Sequence, residues 1–222
     1  MKTTIRFRAS LAIDMRRLLS FALLLLLLLS LAACHREDEQ NVFVMGNGGC
    51  TDTETGVLYL PLSPAFEPIK SQGTRGVLLD EEGEITRTFL GIPDLDSRLW
   101  LCDDLLTVWY AGTPIDPATL TPRALLVCQE TSFSQEITRF TVGTDDAVID
   151  EILSLWRTGE ATSEPGGELT DSRRLKLISA ELLNIYYCID FCVWDDRQGY
   201  LYDRYEGRIV ALPQTLTELL SQ

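Results

Sequence analysis

Residues 185–194 constrain the fold more than any other stretch of the chain. Ile185, Tyr187, Ile189, Phe191 and Val193 alternate with Tyr186, Cys188, Asp190, Cys192 and Trp194. A two-residue period belongs to a β-strand, and one face of this strand is wholly apolar. Such a strand has to lie in a sheet with that face against a core. Asp195-Asp196-Arg197-Gln198-Gly199 then supplies a turn, Tyr200-Leu201-Tyr202 runs back, Glu206-Gly207 turns again and Arg208 to Leu212 returns. The pattern predicts a three-stranded antiparallel meander. Pro213 follows and opens a short terminal helix through Leu216, Leu219 and Leu220.

Upstream, the chain reads as a series of hairpins. Arg75 to Leu79 and Ile85 to Leu90 flank Asp80-Glu81-Glu82-Gly83, with the glycine suited to a left-handed turn position. Arg98 to Cys102 and Leu105 to Tyr110 pair around Asp103-Asp104, and Arg123 to Gln129 and Glu136 to Val142 are two further strands. Residues 112–122, with Pro114, Pro117 and Pro122, read as a loop where the domain could subdivide. The period then changes. Ile149, Ile152, Leu153 and Trp156 share one face of a helix. Thr144 is placed to cap it, while Arg157 and Gly159 mark its exit. Residues 159–172 are polar and read as a loop. The expected fold class is α+β: an antiparallel sheet of hairpins and meander, one packed amphipathic helix and a short C-terminal helix.

The first 34 residues follow other rules. Arg16-Arg17 precede a leucine-rich run from Leu18, unbroken from Leu23 to Leu29, and Leu31-Ala32-Ala33-Cys34 closes it. A positive start, an apolar middle and small residues before a cleavage point define a secretory signal. The run is short of the roughly 20 apolar residues a permanent span needs. This segment resembles a bacterial lipoprotein signal peptide, and Leu31, Ala32, Ala33 and Cys34 match its lipobox position by position. The resemblance implies cleavage before Cys34, a diacylglycerol in thioether linkage on Cys34, and acylation of the new amino group. It also implies a cell-membrane location, lipid-anchored on the extracytoplasmic side. Residues 1–33 are then the signal peptide, and because the positive start is complete from Met15, Met15 is read as the true start. Residues 34–55, charged at first and then Gly46-Asn47-Gly48-Gly49, read as a lipidated flexible tether, with Val42-Phe43-Val44 as a short strand within it. Residues 56–222 read as a single α+β domain.

Charge narrows the partners. The formal net charge is −14 at pH 7. Residues 1–33 hold Lys2, Arg6, Arg8, Arg16, Arg17 and Asp14, so the remainder stands at −18. Nucleic acid would be repelled. The expected partners are the membrane, through the lipid on Cys34, and an envelope protein or glycan.

The only histidine is His35, beside the lipid anchor. Ser-His-Asp and Cys-His catalysis and histidine-based zinc sites are therefore excluded from the domain, and no cofactor or metal is expected. Of six cysteines, Cys34 is committed to lipid, leaving Cys50, Cys102, Cys128, Cys188 and Cys192. Cys102 and Cys128 sit in apolar runs and read as core residues. Cys188 and Cys192 are four residues apart on one strand, about 13 Å, too far to bridge each other. Asp103-Asp104, Asp145-Asp146 and Asp195-Asp196 fit turn and helix-end roles. Trp194, Tyr200, Tyr202 and Tyr205 gather in the meander as a candidate binding face. The expectation is a lipoprotein that acts by binding or as an assembly component. The alternative is a carboxylate-dependent hydrolase acting on envelope glycans.

Overall fold

Asn47 and Gly48 hold φ of 51° and 76°, the paired left-handed positions of a two-residue hairpin turn. They join β1 (Asn41–Gly46) to β2 (Gly49–Asp52), and this hairpin begins a closed barrel. The computed structural model describes residues 40–222, apart from 63, 131–133 and 196. The leucine run, Cys34 and His35 lie outside the described residues.

The barrel adds β3 (Leu58–Pro61), β5 (Gln72–Leu79), β6 (Ile85–Gly91), β7 (Trp100–Asp103) and β8 (Val108–Tyr110). Its order is β1-β2-β3-β8-β7-β6-β5, closed by a parallel pairing of β1 with β5. Asn41 lies opposite Gly76 at that seam. A Cβ on residue 76 would sit 2.1 Å from the Asn41 carbonyl oxygen and 2.6 Å from the Phe43 ring. Glycine is what lets the two strands meet. Inside, Phe43 stacks edge-on with Phe89 at 4.6 Å and with Tyr59 at 5.8 Å, and Phe89 meets Trp109 at 5.6 Å. Leu78, Leu101 and Cys50 complete this small core.

The second half of the chain builds an open sheet. Its strands are β9 (Pro122–Glu130), β10 (Ser134–Thr141), β11 (Ala161–Thr162), β12 (Leu169–Ser179), β13 (Ile185–Trp194), β14 (Gly199–Asp203) and β15 (Arg208–Ala211), in the order β10-β9-β12-β13-β14-β15-β11. The short β4 (Phe66–Pro68), between β3 and β5 in the chain, is not a barrel strand and pairs with Ile185–Tyr187 of β13, so a segment of the first half extends the second sheet. The alternation along β13 places Ile185, Tyr187, Ile189, Phe191 and Val193 in the large core, as their period requires. That core lies between the sheet and the outer wall of the barrel. β7 is buried on both faces: Trp100 and Cys102 join the large core, while Leu101 joins the barrel core. Helices α1 (Asp146–Thr158) and α2 (Gln214–Leu220) cover the same face of the sheet. Ile149, Ile152, Leu153 and Trp156 of α1 and Leu216 and Leu220 of α2 are buried there.

The α+β class, the meander and both helices match the sequence expectation, and the closed seven-stranded barrel departs from it. Three local differences accompany it. Residues 41–52, read as part of a tether over 34–55, are barrel strands, and the compact unit begins at Asn41. The loop read over 159–172 contains β11 and the start of β12. Position 145, rather than Thr144, caps α1, and without a side-chain cap bond. The Asp145 carboxylate instead accepts from the Thr141 N–H at 2.9 Å, and Asp146 accepts from the Gly143 N–H at 2.6 Å.

Candidate functional site

β12 reads Leu169-Thr-Asp-Ser-Arg-Arg-Leu-Lys-Leu-Ile-Ser179. Leu175 and Leu177 enter the large core, which turns Arg174 and Lys176 onto the opposite face of the sheet. There they meet Tyr186, Cys188, Asp190, Cys192 and Trp194, the other half of the β13 alternation. Glu67 of β4 lies opposite Tyr186 in register, so its neighbour Phe66 faces the core and its own carboxylate joins this face.

The charges form a ladder across the strands. Arg174 pairs with Glu67 through one nitrogen and with Asp190 Oδ1 through Nε at 3.2 Å. Arg204, in the β14–β15 turn, pairs with Asp190 Oδ2. Lys176 Nζ donates to Glu67 Oε2 at 2.6 Å and lies 3.2 Å from Glu130. Burial works to raise the Glu67 carboxyl, but the hydrogen bonds and charges of Lys176 and Arg174 outweigh it and hold it below the usual range. Burial likewise works against the Lys176 ammonium, yet Glu67 and Glu130 hold it above its ordinary value. Arg174 is kept firmly protonated in the same way. Every carboxylate of the ladder thus has a cation, which a buried charge requires.

Aromatic rings flank the ladder. Lys176 Nζ stands 5.6 Å over the Tyr186 ring, and the Arg204 guanidinium 5.9 Å over Tyr202. Trp194 and Tyr200 meet edge-on at 5.3 Å and are both buried, with Cys192, Ile209 and Tyr202 around them. The structure therefore brings Trp194, Tyr200 and Tyr202 together, as the sequence expected. Tyr205 stands apart, 41% exposed in the β14–β15 turn with its ring 5.8 Å from Phe66. On the ladder face itself, Tyr202 is partly exposed and Arg204 half-exposed. The sequence missed Arg174, Lys176, Glu67 and Arg204. A signal was present in β12, where two leucines alternate with two cations.

The acidic pairs serve structure. Asp103 is fully buried; its Oδ1 accepts from the Leu105 and Thr107 N–H groups at 3.0 and 2.8 Å, and its Oδ2 accepts from Arg87 and the Trp109 indole at 2.8 and 3.1 Å. Asp203 accepts from Tyr205 and Glu206 N–H groups at Oδ1 and from Tyr187 Oη and Trp156 Nε1 at Oδ2. Asp195 accepts from the Glu168 N–H at 2.9 Å. Asp52 repeats the turn geometry with Glu54. Burial acts to raise its pKa, but hydrogen bonds from Glu54, Thr55 and Asn41 outweigh it and hold the carboxyl below its usual range.

All five cysteines of the described region are free and buried. Burial pushes Cys50 up to about 12 and Cys102 and Cys192 up to about 11, and Cys188 rises well above its ordinary value. A thiol acts as a nucleophile only as thiolate, so these are packing residues. Cys188 and Cys192 share the second face with Asp190, as the alternation predicts. Among the described residues no cluster of His, Cys, Asp or Glu is arranged to hold a metal ion, and no helix is long and apolar enough to cross a membrane.

No family model, curated protein or solved structure matches the chain. The site is read from its own geometry.

Proposed function

We propose that the protein is a cell-envelope lipoprotein, held to the membrane by lipid on Cys34, that acts by binding. The anchor rests on Leu31-Ala32-Ala33-Cys34. The binding role rests on one observation: β4, β12, β13 and the β14–β15 turn assemble Tyr202 and Arg204 at the accessible end of an otherwise satisfied charge ladder. Because Arg174, Lys176, Glu67 and Asp190 satisfy one another, the face is rigid without a ligand. Arg204, exposed and stacked, is the group free to re-aim its remaining donors at a partner's carboxylate or hydroxyls. A rigid face of aromatic and arginine side chains is a common composition for a protein or glycan interface.

The hydrolase alternative asks for carboxyls held protonated in a cleft. Glu67, Asp52, Glu136, Asp96 and Glu181 are all displaced the other way, which favours binding. The test is cross-linking in intact cells, followed by quantitative recovery of a defined partner. Tyr202→Ala with Arg204→Ala is expected to cut recovery about tenfold while leaving the protein folded and membrane-bound. Undiminished recovery would overturn the reading of this face.

A further inference from the structure

The outer wall of the barrel is uncharged over four strands. The register aligns Leu79 of β5 with Val44 of β1, Val44 with Thr51 of β2, and Thr51 with Leu58 of β3. Their alternates Phe43, Cys50, Tyr59 and Leu78 fill the barrel interior, so this row faces outward. Leu60 lies two residues beyond Leu58 on the same side. Val44 is 39% exposed, Leu58 38% and Leu60 47%, and Met45 at the rim is 57% exposed. Scattered apolar residues on a surface are ordinary, but a contiguous uncharged set marks a contact. It is notable in a chain that stands at −18 after residue 33.

The wall also begins close in sequence to the attachment point. β1 begins at Asn41, seven residues after Cys34, and seven residues reach at most about 25 Å. β1 is itself about 20 Å long. A lipid on Cys34 therefore keeps the start of β1 within about 25 Å of the bilayer, little more than one strand length. An acidic surface cannot approach lipid headgroups without desolvating carboxylates, whereas this wall has none to desolvate. We infer that the wall formed by Val44, Thr51, Leu58 and Leu60 rests on the lipid surface, fixing the orientation of the domain on the membrane. The inference depends on the lipid-anchor reading of Cys34 and adds to it a second, non-covalent contact. Lipid on one residue confines the domain near the bilayer but leaves it free to rotate, and an apolar wall removes that freedom. With the wall down, the charge ladder on the far half of the chain keeps its own orientation relative to the membrane.

The test uses the full chain, purified in its lipidated form and reconstituted on phosphatidylcholine vesicles. Thr51→Cys carries an environment-sensitive fluorophore; the five native thiols are buried and stay unlabelled. Ser154→Cys, on the exposed side of α1, is the control. Emission from position 51 is expected to rise several-fold on vesicles, and that from position 154 to stay level. Leu58→Glu with Leu60→Glu should abolish the rise while the protein still floats with the vesicles. Flotation with unchanged emission at position 51 overturns the wall contact and leaves the anchor standing. Failure to float, with no lipid on Cys34, overturns both. A rise that grows with protein concentration and needs no vesicles assigns the wall to a second copy and also overturns the inference. If Thr51→Cys does not fold, Val44→Cys, 39% exposed on the same row, carries the fluorophore instead; unchanged emission on vesicles there counts against the contact.

Discussion

The indole Nε1 of Trp156 donates to Oδ2 of Asp203 at 2.7 Å. This bond joins the inner face of α1 to the hairpin between β14 and β15, two elements 47 residues apart in the chain. The same carboxylate oxygen accepts from Tyr187 Oη at 2.6 Å. Burial and this bond both push the Tyr187 hydroxyl upward, so it remains a donor at any physiological pH. Helix, central strand and last hairpin are thus tied at one buried oxygen.

Removing one donor should therefore cost more than a surface hydrogen bond. Trp156→Phe removes the N–H together with the five-membered ring of the indole. It is expected to destabilise the fold by about 1–3 kcal/mol, from one lost buried hydrogen bond and the small space left behind. Tyr187→Phe should cost a similar amount, and the double substitution more than the sum, because only the double leaves this buried oxygen of Asp203 without a donor. Urea denaturation of the three proteins checks this.

Barrel closure hinges on the absence of a side chain at residue 76. Gly76→Val would drive atoms into the Asn41 carbonyl and the Phe43 ring. Backbone must move to admit it, so the expected loss is about 3 kcal/mol or more. The loss should appear as a lowered thermal midpoint and as faster hydrogen exchange in Asn41–Gly46. Gly83→Ala, at a turn with open space around it but φ of 84°, should cost only about 1 kcal/mol.

The charge ladder gives stability a definite pH dependence. Glu67 titrates near 4.5 unfolded and lower when folded. A depressed folded value means the native state holds the proton more weakly, so its contribution is full above about pH 5 and is lost as pH falls through the folded value. Lys176 is raised above 10.5, so its contribution is full below that and is lost as pH rises through the folded value. Between these limits the ladder should add a constant amount. Glu67→Gln is expected to flatten the acid limb of a plot of urea midpoint against pH. An unchanged acid limb would remove Glu67 from the account.

The thiols should report folding. Cys50, Cys102, Cys128, Cys188 and Cys192 are buried and displaced toward the unreactive thiol form. An aromatic disulfide reagent at pH 8 should label none of them within minutes in the native protein, and all five at once in guanidinium. Early labelling of one would locate a segment that opens before global unfolding.

How much of this was legible depended on whether the deciding partner was near in sequence. The β13 alternation, the face of α1 from Ile149 to Trp156 and the hairpin at Gly83 all follow from local periods, and the structure bears them out. The Asn47-Gly48 turn is also a local signal. It was hidden by Gly46 and Gly49 on either side, which make the stretch look like a linker. β12 was obscured for another reason. Arg174 and Lys176 make it look solvated, and their partner Glu67 lies 107 and 109 residues away. Nothing local announces the parallel seam of β1 with β5 either, because parallel pairing leaves no turn signature. The aromatic set illustrates the same limit: sequence proximity grouped Tyr205 with Trp194, Tyr200 and Tyr202, and the turn carries it to Phe66 instead.

The measurement that bears most directly on the account is the intact mass of the N-terminal peptide of the protein isolated from membranes. The account predicts that the chain starts at Cys34 and that this residue carries a diacylglyceryl group, with an acyl chain on its amino group. A peptide that retains the leucine run upstream of Cys34, or one that begins at an unmodified Cys34, would contradict it.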